Sequence, residues 1–285
     1  MASDQVAVVA DSTLALPREL AARHGIEVVP VHVVVDGRSL REGMDITPPE
    51  VASRLRAGAR LTTSRPSPQE FLAVYRAAAH AGATGVVSVH LSAELSGTVD
   101  AARVAASGSP IPVEVVDTRT VAMAAGFAAL DAAAAATAGA DLEQAAAAAA
   151  ATAAGSRLFF YVDTLEFLQR GGRIGAAQRY LGQALRVKPL LSMQDGSVAA
   201  LEKVRTSSRA LHRLADIAGD AAEPMPGARL AVHHLEASGS ADLVIADLQA
   251  RLPDAQLVLS EVGAVIGVHT GPGMVAVAVA PGAAP

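Results

Sequence analysis

The sequence contains no cysteine and no tryptophan among its 285 residues. The absence of cysteine excludes disulfides, thiolate metal sites and a cysteine nucleophile. Aromatic residues make up only 3% of the chain although 51% of its residues are hydrophobic, because much of that fraction is alanine. Alanine is a weak hydrophobe, so the core must be built mainly from valine, leucine and isoleucine. The length of the chain corresponds to about two domains.

Acidic and basic residues are nearly balanced, with 28 of the first kind and 23 of the second. The net charge is −5, which gives no electrostatic reason to expect nucleic acid or an anionic membrane surface as a partner. Residues 1–5 show no positively charged stretch followed by an apolar one, so we expect no signal peptide. The alanine-rich tract at residues 121–154 is interrupted by polar residues and glycine, and it predicts two packed helices and no membrane span. We therefore expect a cytoplasmic protein.

Several sequence templates for catalysis are missing. There is no G-x-x-x-x-G-K-[ST] loop for binding ATP and no G-x-S-x-G motif for a strained serine nucleophile. No H-E-x-x-H zinc motif occurs, and the adjacent His233 and His234 would point to opposite faces of a strand, so we expect no metal site. Residues 271–276 match a dinucleotide fingerprint formally, but the strand-like segment that follows them argues against it.

The first half of the chain alternates strand-like and helix-like segments. Capping boxes with proline at the first helical position predict helices that begin after Thr47 and Ser67. Short apolar runs typical of strands buried on both faces occur at residues 6–10, 27–35, 85–90 and 113–116. This alternation predicts an α/β domain over residues 1–155, with a mostly parallel sheet and helices on both of its faces.

The second half, residues 156–285, has a different pattern. Residues 163–166 form a further candidate capping box, and the helix that they open would end at Gly171-Gly172. Asp195-Gly196 lies between two strand-like runs and predicts a two-residue β-hairpin. The remaining pattern predicts helices over 175–185, 207–217 and 241–252 and strands over 187–193, 197–204, 229–235, 256–262 and 274–280. We expect a second α/β domain with a mixed or antiparallel sheet.

Hydroxyl-bearing residues follow three of the predicted strands of the first domain. They lie in Asp11-Ser12, in residues 92–98 and in Asp117-Thr118, and residues 62–67 add further hydroxyls before a capped helix. In open parallel sheets, ligands bind beyond the carboxyl ends of the strands. Hydroxyls and backbone N–H groups there are neutral donors suited to an anionic oxygen. Helix capping would explain each segment by itself, so both interpretations stay open at this point.

Two glycine-rich segments of the second domain contain further candidates. In residues 262–273, four glycines surround His269, which suggests a backbone held close to another group with an imidazole presented from it. The alternative is a tight turn with an incidental histidine. In residues 169–175, Arg173 follows a double glycine that could end a helix and aim the guanidinium at an anion. The alternative there is a helix C-cap with a solvated arginine.

Seven motifs follow one another along nearly the whole chain: Ala10-Asp11-Ser12, Thr63-Ser64-Arg65-Pro66-Ser67, Leu95-Ser96-Gly97-Thr98, Val116-Asp117-Thr118, residues 165–174, Val187-Lys188-Pro189-Leu190-Leu191 with Asp195-Gly196, and residues 266–273. Together and in this order they resemble the DegV family of bacterial fatty-acid-binding proteins. The resemblance implies an N-terminal Rossmann-like domain and a C-terminal domain with an antiparallel sheet. It also implies that an acyl chain lies between or within the two domains.

The resemblance implies roles for particular residues. Thr63 and Ser96 are expected to bind the carboxylate of a long-chain fatty acid such as hexadecanoate. His269 and Arg173 are expected to lie near the head group or to act in phosphate transfer. One departure is Arg65, which stands where the family usually has glutamine and adds charge near the expected mouth of the cavity.

The resemblance also implies a partner. The protein itself would be a lipid-binding protein and not an enzyme, with no cofactor of its own. A separate ATP-dependent fatty acid kinase would convert the bound acid to an acyl phosphate for phospholipid metabolism. Transient contact with a membrane is compatible with this role.

Two other functions stay open on the residues alone. Ser96 or Ser12 together with His269 could serve a hydrolase or acyl transferase, although the strained turn that exposes such a serine is missing. A sugar- or nucleotide-binding module could use the same hydroxyls at the strand ends. The first domain lacks the phosphate loop, the arginine fork and the aromatic platform that such a module commonly uses.

Overall fold

The structure is a computed structural model, and it describes residues 5–180 and 188–283. Within these ranges the chain forms three sheets with flanking helices. The strands, numbered in chain order, are β1 Val6–Asp11, β2 Ile26–Val29, β3 His32–Val35, β4 Arg38–Arg41, β5 Thr62–Ser64, β6 Gly85–His90, β7 Val113–Asp117, β8 Arg157–Tyr161, β9 Lys188–Gln194, β10 Ser197–Val204, β11 Arg229–His234, β12 Gln256–Glu261 and β13 Val275–Ala280. The α-helices are α1 Arg18–Arg23, α2 Pro48–Arg56, α3 Pro68–His80, α4 Thr98–Ala106, α5 Met123–Thr137, α6 Leu142–Gly155, α7 Glu166–Arg170, α8 Ser207–Ala222, α9 Ser238–Arg251 and α10 Ala264–Thr270.

The first sheet is parallel throughout, with the strand order β2-β1-β6-β7. Successive residues of β1 point to opposite faces of this sheet. Val9 packs against α3 and α4, whereas Val8 and Ala10 join the core that contains α5. Helices therefore cover both faces, and the predicted parallel sheet is confirmed.

The second sheet has six strands in the order β10-β9-β8-β13-β11-β12. Its neighbouring strands run antiparallel except for β11 and β12, which run parallel, so the predicted mixed sheet is confirmed. Helices α8 and α9 cover one face, and Leu158 and Phe160 on the other face pack toward α5. Asp195 and Gly196 join β9 to β10, and both have positive φ, as the predicted hairpin turn requires.

Helix α5 lies in the core that joins the two large sheets. All of its residues from 123 to 133 are buried. A helix that is buried on every side is mostly apolar all round, and its one buried charged residue, Asp131, forms an ion pair with Arg229. Alanine lets both sheets approach closely because its side chain is short. The alanine-rich tract thus forms the two predicted helices, α5 and α6. In the described part of the chain, no helix combines the length and the apolar character needed to cross a membrane.

The apolar run at residues 27–35 forms two strands, and the single strand predicted there is wrong. Pro30 and Val31 separate β2 from β3, because proline has no N–H with which to continue the ladder. Strand β3 pairs antiparallel with β4 and β5 in a third sheet that the sequence did not predict. This sheet, α2 and α10 form the small lobe, residues 31–64 and 264–270, which has its own apolar core.

Both capping boxes predicted in the first domain are confirmed. The backbone N–H of Thr47 donates to the Glu50 carboxylate at 2.8 Å before α2. The equivalent bond from Ser67 to Glu70 is 2.7 Å before α3. These bonds satisfy N–H groups that the first turn of a helix otherwise leaves without partners.

The capping box predicted at residues 163–166 is wrong, because Glu166 forms an ion pair with Arg170 of the same helix instead of capping α7. The helix itself is confirmed, and it ends at the double glycine as predicted. A 3-10 helix, Gly175–Tyr180, covers the first part of the helix predicted over 175–185. The rest of that prediction lies in residues 181–187, outside the described residues.

The chain passes from the first sheet to the second between α6 and β8. An ion pair joins the two halves, because Arg229 of β11 donates two hydrogen bonds of 2.7 Å to Asp131 of α5. Only about a tenth of each of these side chains is exposed. The division into domains at residues 155 and 156 stays a prediction.

Candidate functional site

A cavity lies where the carboxyl ends of β1 and β6 meet the second sheet and the small lobe. It has a volume of about 870 Å³ when the open space at its mouth is included. Aliphatic and aromatic side chains form most of its wall, among them Leu91, Leu158, Phe160, Met193, Val262 and Ile266. The position agrees with the rule that open parallel sheets bind ligands beyond the carboxyl ends of their strands.

The four residues predicted as a binding site, Thr63, Ser96, Arg173 and His269, all line this cavity. They come from four separate segments, namely β5, the turn before α4, the turn after α7, and α10. All four are partly exposed, whereas the apolar residues Leu91, Leu158 and Phe160 are buried. These four residues form the polar end of the cavity, which is closer to solvent than those three apolar side chains. That these four residues bind a ligand stays a prediction.

His269 and Thr63 form the hydrogen bond at the centre of this polar end. The Nε2 atom of His269 is 2.8 Å from Oγ1 of Thr63, and the buried Nδ1 atom has no partner among the described residues. Burial and the nearby charge of Arg173 lower the pKa of His269 to about 4, so the imidazole is neutral at neutral pH. A buried N–H without a partner is rarer than an unpaired acceptor, so we assign the proton to Nε2. The Thr63 hydroxyl then accepts from His269 and keeps its own hydrogen for a ligand.

Arg173 supplies a positive charge beside this pair. Its Nε donates to the Leu95 carbonyl at 3.0 Å and its Nη1 to the Gly171 carbonyl at 2.6 Å. Neither acceptor is charged, and Arg173 has no carboxylate partner within the described ranges. A guanidinium has five N–H donors, so donors remain for an anion.

Ser96 lies in the turn between β6 and α4. Its hydroxyl is 2.8 Å from the hydroxyl of Thr98, the first residue of α4. The turn is anchored by Ser92, whose hydroxyl donates to the Gly196 carbonyl at 2.7 Å. The β9–β10 hairpin of the second sheet therefore holds the turn that carries Ser96.

Two glycines of the predicted motifs make room for these side chains. A Cβ atom on Gly171 would collide with the imidazole of His269. A Cβ atom on Gly271, which has a φ of +76°, would collide with the ring of Phe167. The sequence predicted that the backbone of residues 262–273 lies close to another group. At Gly271 that group is the ring of Phe167. His269 itself lies on α10, a helix in a stretch for which the sequence indicated only a glycine-rich turn.

The other hydroxyl and carboxyl groups at the strand ends hold loops together. The buried carboxylate of Asp11 accepts hydrogen bonds from the backbone of Thr13 and of Leu91 and also contacts His90. Asp117 accepts from backbone N–H groups of its own and the neighbouring loop. Asp11 and Asp117 do not line the cavity, whereas Thr13, which directly follows Ser12, does. Hydroxyl-bearing residues that follow β1 and β6, and those of β5, therefore converge on the cavity, but Thr118 after β7 does not.

Glu42 is a buried residue near the site that the sequence did not reveal. Its carboxylate accepts from the backbone N–H of Val265, in the first turn of α10, at 2.7 Å and also from the hydroxyl of Ser12. A Cβ atom on Gly263 would collide with this carboxylate. Burial raises the pKa of Glu42 to about 7. Glu42 thus caps the helix that carries His269, and no local sequence pattern marks it, because its partners are 30 and 223 positions away.

The geometry does not provide the serine–histidine pair that a hydrolase or acyl transferase needs. Ser96 is bonded to Thr98, and the Ser12 hydroxyl lies between Glu42 and the backbone N–H of Val31. The Nε2 atom of His269 is bonded to Thr63 instead. A nucleophile and its base must lie within hydrogen-bonding reach, so the arrangement favours binding over nucleophilic catalysis.

The chain is similar to known proteins over nearly all of its length. The family model described as "Uncharacterised protein, DegV family" matches residues 5–282. A DegV domain-containing protein of Streptomyces coelicolor is 52% identical over 278 residues, which cover 97% of this chain and 99% of that protein. A fatty-acid-binding DegV family protein from Thermus thermophilus has a TM-score of 0.92 at 35% identity, with 97% of this chain and 99% of the other covered. DegV from Bacillus subtilis, a fatty acid binding protein, has a TM-score of 0.88 at 32% identity with the same coverage.

Proposed function

The chain belongs to the DegV family, and from this membership and the cavity we propose that it binds a long-chain fatty acid such as hexadecanoate. The acyl chain would lie along the apolar wall, and the carboxylate would lie at the polar end formed by Thr63, Ser96, His269 and Arg173. The observation that carries the proposal is the composition of this cavity. Its wall is apolar, and the groups at its polar end include hydrogen-bond donors and arginine but no carboxylate.

Burial of the acyl chain would supply most of the binding free energy. A hexadecanoate chain of about 14 methylenes gains on the order of 11 kcal/mol when it leaves water, at ~0.8 kcal/mol per methylene. Ordering the chain and losing translational freedom cost a large part of that gain, so tight binding needs a cavity that encloses the chain. The buried Leu158 and Phe160 and the small Ala276 at the inner wall suit an aliphatic ligand.

The head group needs donors, because a buried carboxylate without partners would be costly or would bind a proton. The hydroxyl of Thr63 has a free hydrogen when it accepts from the neutral imidazole of His269. The hydroxyl of Ser96 is a second neutral donor, and Arg173 supplies the compensating charge. A hydrogen bond to a charged group is typically worth about 1.5–3 kcal/mol, so this cluster would fix which end of the lipid faces solvent.

The position of the polar end near solvent supports a role as a carrier that presents the carboxylate to a partner. We propose that a separate ATP-dependent fatty acid kinase acts on the bound acid and forms an acyl phosphate, while this chain performs no catalysis. The sequence has no phosphate-binding loop of its own, which is consistent with a partner that brings ATP. This role would place the protein in the cytoplasm, with transient contact at a membrane when lipid is loaded.

Native mass spectrometry of the purified protein, followed by extraction and identification of the ligand, tests the proposal. We expect one fatty acid per chain, and we expect the delipidated protein to take up hexadecanoate at a ratio of one to one. Recovery of a sugar or nucleotide and no lipid would contradict the proposal. Covalent labelling by a serine-reactive fluorophosphonate would instead support an enzyme.

A further inference from the structure

Arg65 lies at the mouth of the cavity, against the turn that carries Ser96. Its Nη1 donates to the Gly97 carbonyl at 3.4 Å. A Cβ atom on Gly97 would collide with this guanidinium, so glycine leaves the space that the arginine occupies. Arg65 is exposed to solvent and also lines the cavity.

Arg173 contacts the same turn. Its Nε donates to the Leu95 carbonyl at 3.0 Å. Leu95 and Gly97 flank Ser96, and a fully extended chain separates residues two positions apart by about 7 Å. Two guanidinium groups therefore donate to the carbonyls of the two residues next to Ser96.

Neither of these two arginines forms an ion pair with a residue that the structure describes. Other arginines do, since Arg229 pairs with Asp131 and Arg213 with Glu202. Glu94, the acidic residue closest to Ser96 in sequence, packs beside Gly196 instead. The mouth thus holds two positive charges that the described part of the chain leaves uncompensated.

Helix α4 adds to this positive field. It begins at Thr98, directly after the turn, and Gly97 at its N-cap has no side chain with which to cap the first N–H groups. The N-terminus of a helix carries a partial positive charge and favours anions. A carboxylate carries one negative charge, whereas a phosphate monoester carries between about −1.5 and −2 at neutral pH. The positive charge at the mouth is therefore better matched by a phosphate monoester than by a carboxylate.

Building on the fatty acid binding proposed above, we propose that Arg65 and Arg173 form a phosphoryl subsite around Ser96 and that Arg65 makes the protein hold an acyl phosphate more tightly than the fatty acid. The acyl phosphate forms when a kinase transfers the γ-phosphoryl group of ATP to a carboxylate oxygen and releases ADP, a step in which no proton is gained or lost. Arg65 does not take part in this transfer. It selects the product by binding the group that the transfer adds.

Competition binding with delipidated protein tests this proposal. Hexadecanoate and hexadecyl phosphate have the same chain length and differ in head group, and each would displace a fluorescent fatty acid at pH 8. We expect wild-type protein to bind hexadecyl phosphate at least tenfold more tightly than hexadecanoate. In Arg65→Gln, we expect the affinity for hexadecyl phosphate to fall at least tenfold and the affinity for hexadecanoate to fall less than threefold. Arg65→Lys keeps the charge without the planar fork, so we expect an intermediate loss.

The matched control is Arg76→Gln, which removes an exposed arginine from α3, outside the cavity. It is expected to leave both affinities unchanged. Suppose that wild-type protein binds hexadecanoate. If Arg65→Gln then lowers the affinities for both lipids equally, or leaves both affinities unchanged, the phosphoryl subsite is overturned while the fatty acid site stands. If wild-type protein binds neither lipid, the proposed function fails and the subsite fails with it.

Discussion

His269 and Thr63 are 206 positions apart in the sequence, and the structure joins them by a hydrogen bond of 2.8 Å. The bond links α10 to β5 within the small lobe and faces the cavity. Because the imidazole is neutral, it orients the threonine hydroxyl without adding charge. The arrangement of the polar end of the cavity therefore depends on contacts between distant segments.

Removal of either hydroxyl should weaken lipid binding. Thr63→Val keeps the shape of the side chain and removes its donor, and Ser96→Ala removes the second hydroxyl. We expect each change to cost about 1–3 kcal/mol of binding free energy, because the carboxylate loses a hydrogen-bond partner. Titration with a fluorescent fatty acid measures this loss. Thr62→Val, at an exposed position of the same strand, is the control and should bind like wild type.

A methyl group at residue 171 should disturb the site without touching the ligand. Gly171→Ala would push against the imidazole of His269 and displace it from Thr63. We expect hexadecanoate to bind roughly tenfold more weakly, a loss of about 1.4 kcal/mol. Gly239→Ala in α9, where a Cβ atom meets open space, is the matched control. Unchanged affinity in Gly171→Ala would show that the position of the imidazole does not matter for binding.

Glu42 should make stability depend on pH in the range from about 4.5 to 7. Burial raises its pKa in the folded protein from 4.5 to about 7. The folded state therefore binds more protons than the unfolded state in this range, so the contribution of Glu42 is present at low pH and is lost as the pH rises through about 7. At ~1.4 kcal/mol per pKa unit, this shift in the pKa of Glu42 corresponds to about 3 kcal/mol in the free energy of unfolding. His233 and His269, both with pKa lowered to about 4, act in the opposite direction as the pH falls below 6.5.

Comparison with Glu42→Gln separates these contributions, since the variant keeps both histidines. Urea unfolding at pH 5 and pH 7.5 gives the free energy of unfolding of each protein. The free energy of unfolding of wild-type protein minus that of Glu42→Gln should be smaller at pH 7.5 than at pH 5. An equal difference at both pH values would mean that Glu42 does not titrate in this range.

The ion pair between Arg229 and Asp131 should be needed for stability. Asp131→Ala leaves a nearly buried guanidinium without its carboxylate, and we expect a loss of about 3–5 kcal/mol in the free energy of unfolding. The double variant Asp131→Leu/Arg229→Met removes both charges and should be more stable than the single variant. Urea unfolding measures both. A double variant as unstable as Asp131→Ala would show that packing, and not the unpaired charge, causes the loss.

The sequence predicted much of the fold because local signals were strong. The capping boxes at Thr47 and Ser67 and the Asp195-Gly196 turn depend on residues a few positions apart, and the structure contains all three. The third sheet was missed because the apolar run at residues 27–35 has the pattern of one strand. In the structure this run is divided at Pro30, and its second part pairs in the third sheet. Strand pairing between β3 and β5 leaves no comparable signal in a single sequence.

The candidate site could be predicted only in part, for a related reason. Its four residues lie in short glycine- or hydroxyl-rich motifs, which make them visible along the chain. Glu42, which caps the helix that carries His269, lies in no such motif, since its partners Ser12 and Val265 are distant in the sequence. His233 is similar, because its Nε2 accepts from the backbone N–H of Met123 at the start of α5. Such long-range polar contacts follow from packing and not from local sequence.

The most direct test of the account is a crystal structure of the delipidated protein reloaded with hexadecanoate. We predict the acyl chain along Leu158 and Phe160, with its carboxylate within hydrogen-bonding distance of the hydroxyls of Thr63 and Ser96. A carboxylate bound elsewhere, or an acyl chain outside this cavity, would contradict the account.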